Sequence, residues 1–218
     1  MTLSSTARTR ITRHRERGSE DRADLFAIIE EALVCHVGLV RDGDPVVLPA
    51  IHAADPEGSD AGGTLYLHGS VAAPWLLQAP ERTVCVTFTL VDAVVIARAA
   101  FSHSMNYRSA VVYGCARRVE DRDERDRALR LIVDHIVPGR AATLRANTRK
   151  ELAATAVVAV PLAEASVKAR TGGPSDEPED VATGAWAGVV PLSVTAGVVE
   201  TDADGPIPDD VRRRLAGW

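Results

Sequence analysis

The segment 34–52 constrains the fold of this chain more than any other. Two apolar, β-branched runs, Val34–Val40 and Pro45–His52, flank Arg41-Asp42-Gly43-Asp44. Asp-Gly between such runs marks a tight antiparallel hairpin, because the favoured two-residue turn needs positive φ at both central positions. A lone hairpin is marginal in water and needs more strands around it. The chain supplies them. Thr64–His68 alternates through Leu65 and Leu67, and Thr83–Arg98 is a long run rich in Val, Thr and Ile, broken near Asp92 by a turn or a bulge. Arg108–Val119, Thr155–Val160, Ala165–Arg170 and Trp186–Val199 complete the extended set.

Helical periodicity interrupts these runs. Leu25, Ile28, Ile29, Ala32 and Leu33 form an i, i+3, i+4, i+7, i+8 stripe over residues 21–33, and Leu129, Ile132, Val133 and Ile136 form another over 123–137, stopped by Pro138-Gly139. Shorter helices are expected near 71–79, beside Pro74, and 148–154. Strands and helices do not alternate as crossover units, so a doubly wound parallel sheet is disfavoured. The pattern predicts an α+β chain with an antiparallel, closed or nearly closed barrel. Three parts are expected: a basic arm over 1–20, a barrel domain over 21–200 and a polar tail over 201–218.

Composition narrows the function. With 218 residues, 46% apolar and 25% charged, the chain can bury a substantial core. A net charge of −5 and 4% aromatic residues argue against nucleic-acid binding. No apolar run is long enough to span a membrane. Cys35, Cys85 and Cys115 are far apart in apolar runs, which reads as buried free thiols in a reducing compartment, the cytoplasm. The six histidines are scattered, so no metal site is expected, and there is no G-x-S-x-G, P-loop or G-x-G-x-x-G. His36 reads as a core or interface residue and His135 as one face of the long helix. The arm, with Arg8, Arg10, Arg13, Arg15, Arg17 and Arg22 among Ser and Thr, reads as a solvated tail or a cover for a partner subunit rather than a targeting segment.

The richest polar stretch is Ser102–Ser109, set between apolar runs. Polar groups in such a place need partners. Arg108 suits a phosphate, and Asn106 or Tyr107 the edge of a ring; a polar turn is the plainer reading. His68-Gly69-Ser70 ends a strand where free backbone N–H groups suit an anion, or where Ser70 caps a helix beside a surface histidine. Lys168 and Arg170 share one strand face by the period of two, facing an anion or solvent. Trp186 is a core plug or a wall against a flat ring. Gly172–Ala185 is a long acidic loop, functional or mobile.

Taken in order, these pieces resemble the FMN-binding split-barrel superfamily, which includes pyridoxamine 5′-phosphate oxidase. The resemblance runs over about residues 12–195 and lies nearest the branch related to nitroimidazole-resistance (Nim) reductases. It rests on Thr12-Arg13-His14 with Arg17, Glu31–Gly38, Leu65–Ser70, His103–Ser109, Val137–Arg140, Lys150–Thr155, Lys168–Gly172 and Trp186–Val189. It implies a homodimer of six-stranded split β-barrels with peripheral helices and FMN at the subunit interface. Val46, Val47, Leu48 and Pro49 would run along the flavin by their backbone. His68, Gly69 and Ser70 would lie near the flavin and its phosphate, with His68 as the catalytic residue. Arg108 and Ser109 would face the cofactor, and Trp186 with Gly188 would wall the ring from the partner subunit. The implied activity is reduction or oxidation of a small aromatic or nitro compound. The chain departs from the family at Val71-Ala72-Ala73-Pro74-Trp75, where relatives place a cation on the FMN phosphate. That loss costs roughly 1.5–3 kcal/mol. Arg108, Lys168, Arg170 or an arm arginine would have to compensate, or the site takes heme or a deazaflavin. A flavin- or heme-binding module without dedicated turnover is the alternative.

Overall fold

The structure, a computed structural model, describes residues 2–3 and 6–218. The hairpin forms where the Asp-Gly signal placed it. β2 (Cys35–Arg41) and β3 (Asp44–Ala50) pair in antiparallel register, with Asp42 and Gly43 at φ 54° and 95°. The pair belongs to a seven-stranded sheet. Its other members are β1 (Gly18–Ser19), β6 (Thr83–Ile96), β7 (Ser104–Cys115), β10 (Glu164–Arg170) and β11 (Gly188–Pro191). The order is β1-β10-β7-β6-β2-β3, with β11 on β6. A second sheet runs β4-β5-β9-β8, made of His52–Asp55, Thr64–Ser70, Thr155–Pro161 and Arg117–Arg118. The apolar run 45–52 therefore breaks at Ile51 and serves both sheets.

The core lies between the sheets. Val84, Val86, Phe88, Ala110 and Val112 of the large sheet meet Leu65, Leu67, Val158 and Val160 of the small one. Helix α1 (Arg22–Glu31), capped by the Asp21 side chain, inserts Leu25, Ile28 and Ile29 into the same cluster. A second cluster lies on the far face of the small sheet, where Tyr66, Val157 and Ala159 pack under Ala128 and Ile132 of α3 (Arg122–Ile136). The break near Asp92 is a bulge: Val91 faces Tyr107, Ala93 faces Asn106, and Asp92 is the extra residue. It falls between the part of β6 that pairs with β2 and the part that pairs with β11.

Several expectations need correction. The large sheet has seven strands, not six: the two-residue β1 stands at one edge and β11 pairs with β6 beside the main order. The polar stretch 102–109 is not a turn, since Ser104–Ser109 lies inside β7. The last strand covers only Gly188–Pro191, and the tail ends in helix α6 (Asp209–Ala216), whose Asp210 is buried against Arg140. The loop 172–185 contains α5 (Pro178–Ala182) and is pinned, because the Asp176 carboxylate accepts from the Arg98 backbone N–H and guanidinium at 2.9 and 2.8 Å. Only Cys35 of the three free thiols is buried; Cys85 is half-buried and Cys115 exposed. The arm folds onto its own chain: Thr6 and Arg8 bond to Glu164, and Lys168 donates to the Arg13 carbonyl at 3.1 Å. Two short helices match their expected places, α2 (Pro74–Gln78) and α4 (Arg149–Ala154), the latter with a Thr148–Glu151 capping box.

Candidate functional site

Alternation on the strands sorts the candidate residues onto two faces. On the large sheet, Cys35, Val37, Val86, Phe88, Ala110 and Val112 face the core, so their neighbours face outward. The outer face carries His36, Val47, Thr87, Thr89, Met105, Tyr107, Ser109 and Lys168, with Ser109 opposite Lys168 and Thr89. His36 is exposed there, not in the core. Among the described residues no helix covers the part of this face formed by β3, β2 and β6, and its apolar side chains stand open, Val40 and Val47 being 57% and 65% exposed; Met105 of β7 and Trp186, just before β11, are 51% and 68% exposed. β3 is an edge strand, so the backbone along Val46–Pro49 presents its outer edge to whatever docks there.

Arg108 points away from this face. Its guanidinium donates to both Asp92 oxygens and is held by Glu31 of α1 at 2.5 and 2.7 Å. The paired carboxylates raise its pKa further, and Arg108 holds Glu31 below the usual carboxylate range. Arg108 thus fastens α1 to the bulge, which accounts for a charged residue in the strand. Asn106 is likewise spent: it accepts from Arg170 and donates to the Gly172 carbonyl at 3.1 Å. Arg170 is 7% exposed and donates otherwise to the carbonyls of Gly172 and Gly173. No carboxylate bonds to it among the described residues, so its charge is buried without a counter-ion. Such a charge is costly unless an anion lies near.

His68 sits elsewhere. It follows Tyr66 on the face of β5 that meets α3, opposite Val157. Its ring lines a cavity of about 300 Å³ walled by Leu129, Ile132, Val133, Ile136 and Leu144, with Arg130 and Arg145 at the margin. Arg130 is steadied by Asp126 at 3.0 Å and Arg145 by Glu151 at 2.9 and 2.6 Å. The His68 Nδ1 is buried and has no hydrogen-bond partner among the described residues. Burial lowers the imidazole pKa, so the ring is neutral at neutral pH. Gly69 leaves room for Leu76 of α2, whose Cδ1 would lie 2.8 Å from an added Cβ, and the Ser70 hydroxyl accepts from the Ala72 N–H at 3.2 Å.

The two faces look in opposite directions with the core between them. Within one chain, Ser109, Lys168 and the Val46–Pro49 edge form one surface, and His68 opens on another. Sequence reasoning missed His52. It is fully buried, its Nε2–H donates to the Ile29 carbonyl at 3.0 Å, and its ring lies 4.5 Å from that of His135, whose Nε2–H donates to the Ala32 carbonyl at 2.9 Å. The two rings cap the C-terminal carbonyls of α1. Only the register of Ile51, which shifts the strand from one sheet to the other, shows that His52 faces inward. No group of three or more His, Cys, Asp or Glu capable of holding a metal ion occurs among the described residues.

Two antiparallel sheets packed around one core, with α3 on the far face of the smaller, define an antiparallel α+β fold. A family profile described as Pyridoxamine 5′-phosphate oxidase matches residues 21–169, and the chain belongs to that family. Among solved structures it is similar to the flavocytochrome Anf3 from Azotobacter vinelandii, at 33% identity and TM-score 0.87 over 97% of this chain and 98% of that one. It is similar also to an FAD and heme binding protein from Mycobacterium smegmatis, at 38% identity and TM-score 0.83 over 91% and 97%. A putative 5-nitroimidazole antibiotic resistance protein from Bacteroides thetaiotaomicron shares 26% identity at TM-score 0.55 over 69% and 85%. No protein of curated function matches.

Proposed function

We propose that this chain is a flavin-dependent oxidoreductase that also holds a heme. The observation that carries the reading is the His68 cavity. A neutral imidazole with an unpartnered nitrogen, apolar walls and two arginines at the margin suits a heme: His is a common axial ligand, and arginines suit carboxylates. Burial makes His68 a weak proton donor at neutral pH, which favours a ligand role over proton transfer to a flavin. Its placement across the core from Ser109 and Lys168 supports the same division. Two relatives matched over more than nine-tenths of both chains are described as a flavocytochrome and as an FAD and heme binding protein.

The flavin belongs on the outer face of the large sheet, along Val46–Pro49 with Tyr107, Ser109 and Lys168, and with Trp186 as a wall. Buried Arg170 and Lys168 bring positive charge that residues 71–75 lack. The open apolar surface supports a homodimer in which a second copy closes the flavin site. A bound flavin would supply one- and two-electron transfer; the chain's own residues would bind it, exclude water and fix its edge. The proposed substrate is a small aromatic or nitro compound reaching the flavin from that face, in keeping with the nitroimidazole-resistance relative. Three unpaired thiols support a reducing compartment such as the cytoplasm, and no helix among the described residues is long and apolar enough to cross a membrane.

The test is an absorption spectrum of the full chain after reconstitution with flavin and hemin, for the unaltered protein and for His68→Ala. The unaltered protein should retain flavin bands and a Soret band through gel filtration, and the variant should keep the flavin bands alone. A Soret band unchanged in the variant removes heme from this cavity. Loss of both chromophores from the unaltered protein sinks the reading.

A further inference from the structure

We propose that the C-terminal helix α6 is a latch on the strap that borders the His68 cavity, so that release of the helix frees the strap and speeds the passage of a ligand into and out of the cavity; the ligand side of this inference rests on the reading of the cavity as a heme site. The strap is residues 137–148, which join α3 to α4. Its Ala141, Leu144, Arg145 and Asn147 line the cavity together with His68 and the apolar side of α3. It contains one short helical turn, Arg140–Thr143, entered through Gly139 at φ 82°. A Cβ added to Gly139 would meet nothing within 4 Å, so glycine serves the left-handed backbone there and the hinge stands clear of its surroundings. From Ala142 to Lys150 every residue but Asn147 is exposed. What holds the strap is polar: the Ala141 N–H donates to Asp134 of α3 at 2.8 Å, and the Asn147 amide donates to Asp126 of α3 at 2.9 Å. A segment with few buried apolar contacts opens locally at low cost.

The remaining fastening comes from the far end of the chain. The Arg140 guanidinium donates to Asp210 at 3.3 Å; Asp210 is 5% exposed, and the Arg140 side chain has no other partner among the described residues. Asp210 lies in the first turn of α6, where the helix dipole favours a carboxylate. The helix has little else to hold it. Residues 193–208 lead to it without helix or strand and are exposed at every position but Ala196 and Ile207. Arg214 of α6 faces a cavity of about 330 Å³ shared with Phe26 and Ile29 of α1 and with Leu131 and His135 of α3. The Arg214 Nε is buried with no hydrogen-bond partner among the described residues. On this side α6 thus spans a gap, and side chains that face a gap forgo the dispersion contacts that would bind the helix. A helix on an extended linker, seated over a void and tied by one buried ion pair, can leave the barrel without disturbing its core. When it leaves, Arg140 loses its partner beside the Gly139 hinge, and the strap is held by α3 alone.

The experiment compares the full chain with Asp210→Asn and with Arg140→Gln, which break the pair from either side, and with Asp209→Asn, which alters the exposed neighbouring carboxylate that pairs with Arg212 within α6. Amide hydrogen exchange is followed by mass spectrometry on peptides covering 137–148, with peptides from β6 and β7 as the reference for global opening. Hemin release to excess apomyoglobin is followed on the same proteins. Asp210→Asn and Arg140→Gln should each speed strap exchange by about tenfold, as expected of one charge-assisted hydrogen bond discounted for the partial exposure of Arg140, and should speed hemin release by a similar factor. Exchange in β6 and β7 should not change, and Asp209→Asn should match the unaltered protein throughout. Strap exchange unchanged in both pair variants overturns the latch. So does exchange that rises in the strap and in β6 and β7 alike, which would make the pair a prop for the whole fold. A faster strap with unchanged hemin release overturns the link to the cavity. If the unaltered protein retains no hemin, the proposed function fails, and the exchange rates still decide whether α6 latches the strap.

Discussion

The His52–His135 pair makes the folded state acid-sensitive before its carboxylates titrate. His52 is fully buried, and its pKa is lowered from 6.5 to about 4, by desolvation first and by His135 as a lesser cause, against the hydrogen bond to Ile29. The unfolded chain protonates this ring near pH 6.5 and the folded one only near pH 4. Between those values the unfolded state binds more protons, so stability is lost as pH falls and is fully present above about pH 7. A shift of that size is worth about 2 kcal/mol between pH 7.5 and pH 5 at 1.36 kcal/mol per unit. His68 and His135, whose pKa values are also lowered by burial, add to the loss in the same direction. The assay is urea unfolding followed by circular dichroism at pH 7.5, 6 and 5, for the unaltered chain and for His52→Gln. Glutamine keeps an N–H donor for the Ile29 carbonyl and does not titrate. The variant should be less stable at pH 7.5, yet should lose about 2 kcal/mol less than the unaltered chain on going to pH 5. Identical losses in the two proteins would refute the argument. The consequence reaches the site, because the rings join the end of α1 to α3, and α3 roofs the His68 cavity.

Three further outcomes follow from the geometry. Arg108→Met removes the link between α1 and the Asp92 bulge and should lower stability by about 1–2 kcal/mol, discounted for the partial exposure of the partners; flavin affinity should stay within about twofold, and a large loss of affinity at unchanged unfolding temperature would return Arg108 to the cofactor site. Val47→Asp with Met105→Asp should convert the proposed dimer into a folded monomer by light scattering after gel filtration, and an unchanged mass would place the interface elsewhere. Asp176→Ala releases the clasp on Arg98 and should speed limited proteolysis within 172–185; an unchanged cleavage rate would show that Arg170 and Asn106 suffice to hold the loop.

What could be read from the sequence was what periodicity records. The Asp-Gly hairpin, the stripes of α1 and α3 and the interruption at Asp92 all came from local pattern, and each stands in the structure. Length and membership of a sheet did not, because they depend on pairing across distance. Trp186–Val199 has strand composition throughout, but only Gly188–Pro191, opposite Ala93–Ile96, forms a strand, with the Leu192 N–H donating to the Asp92 carbonyl just beyond it. The tail looked merely polar because α6 buries little. It is a helix fixed by Asp210 against Arg140, a contact between segments 70 residues apart. The candidate residues could be picked out from the sequence, but their arrangement on two opposite faces could not. Asn106, Arg108 and Arg170 are rich in hydrogen-bonding groups, which is what drew notice to them, and the fold spends most of those groups on the bulge and on the glycine carbonyls after β10. His52 carried no signal, being one more residue in an apolar run.

The departure at residues 71–75 now has a structural counterpart. The loop after β5 turns directly into α2, whose Leu76 packs under Gly69 and whose Pro74 begins the helix. That turn is built from apolar contacts and has no cation to offer a phosphate. Positive charge collects instead on the opposite sheet, where Arg170 lies buried beside carbonyls, Lys168 ties the arm to β10, and Arg10 and Arg15 line a cavity between the arm and β1. The basic arm is bonded to β10 through Glu164 and Lys168. Removing residues 1–17 should accordingly reduce flavin affinity while leaving the His68 cavity, which the arm does not line, able to hold its own ligand. Parallel titrations of the truncated chain with FAD and with hemin separate the two. A truncation that weakens both equally would show that the faces are coupled through the core and do not act as independent sites.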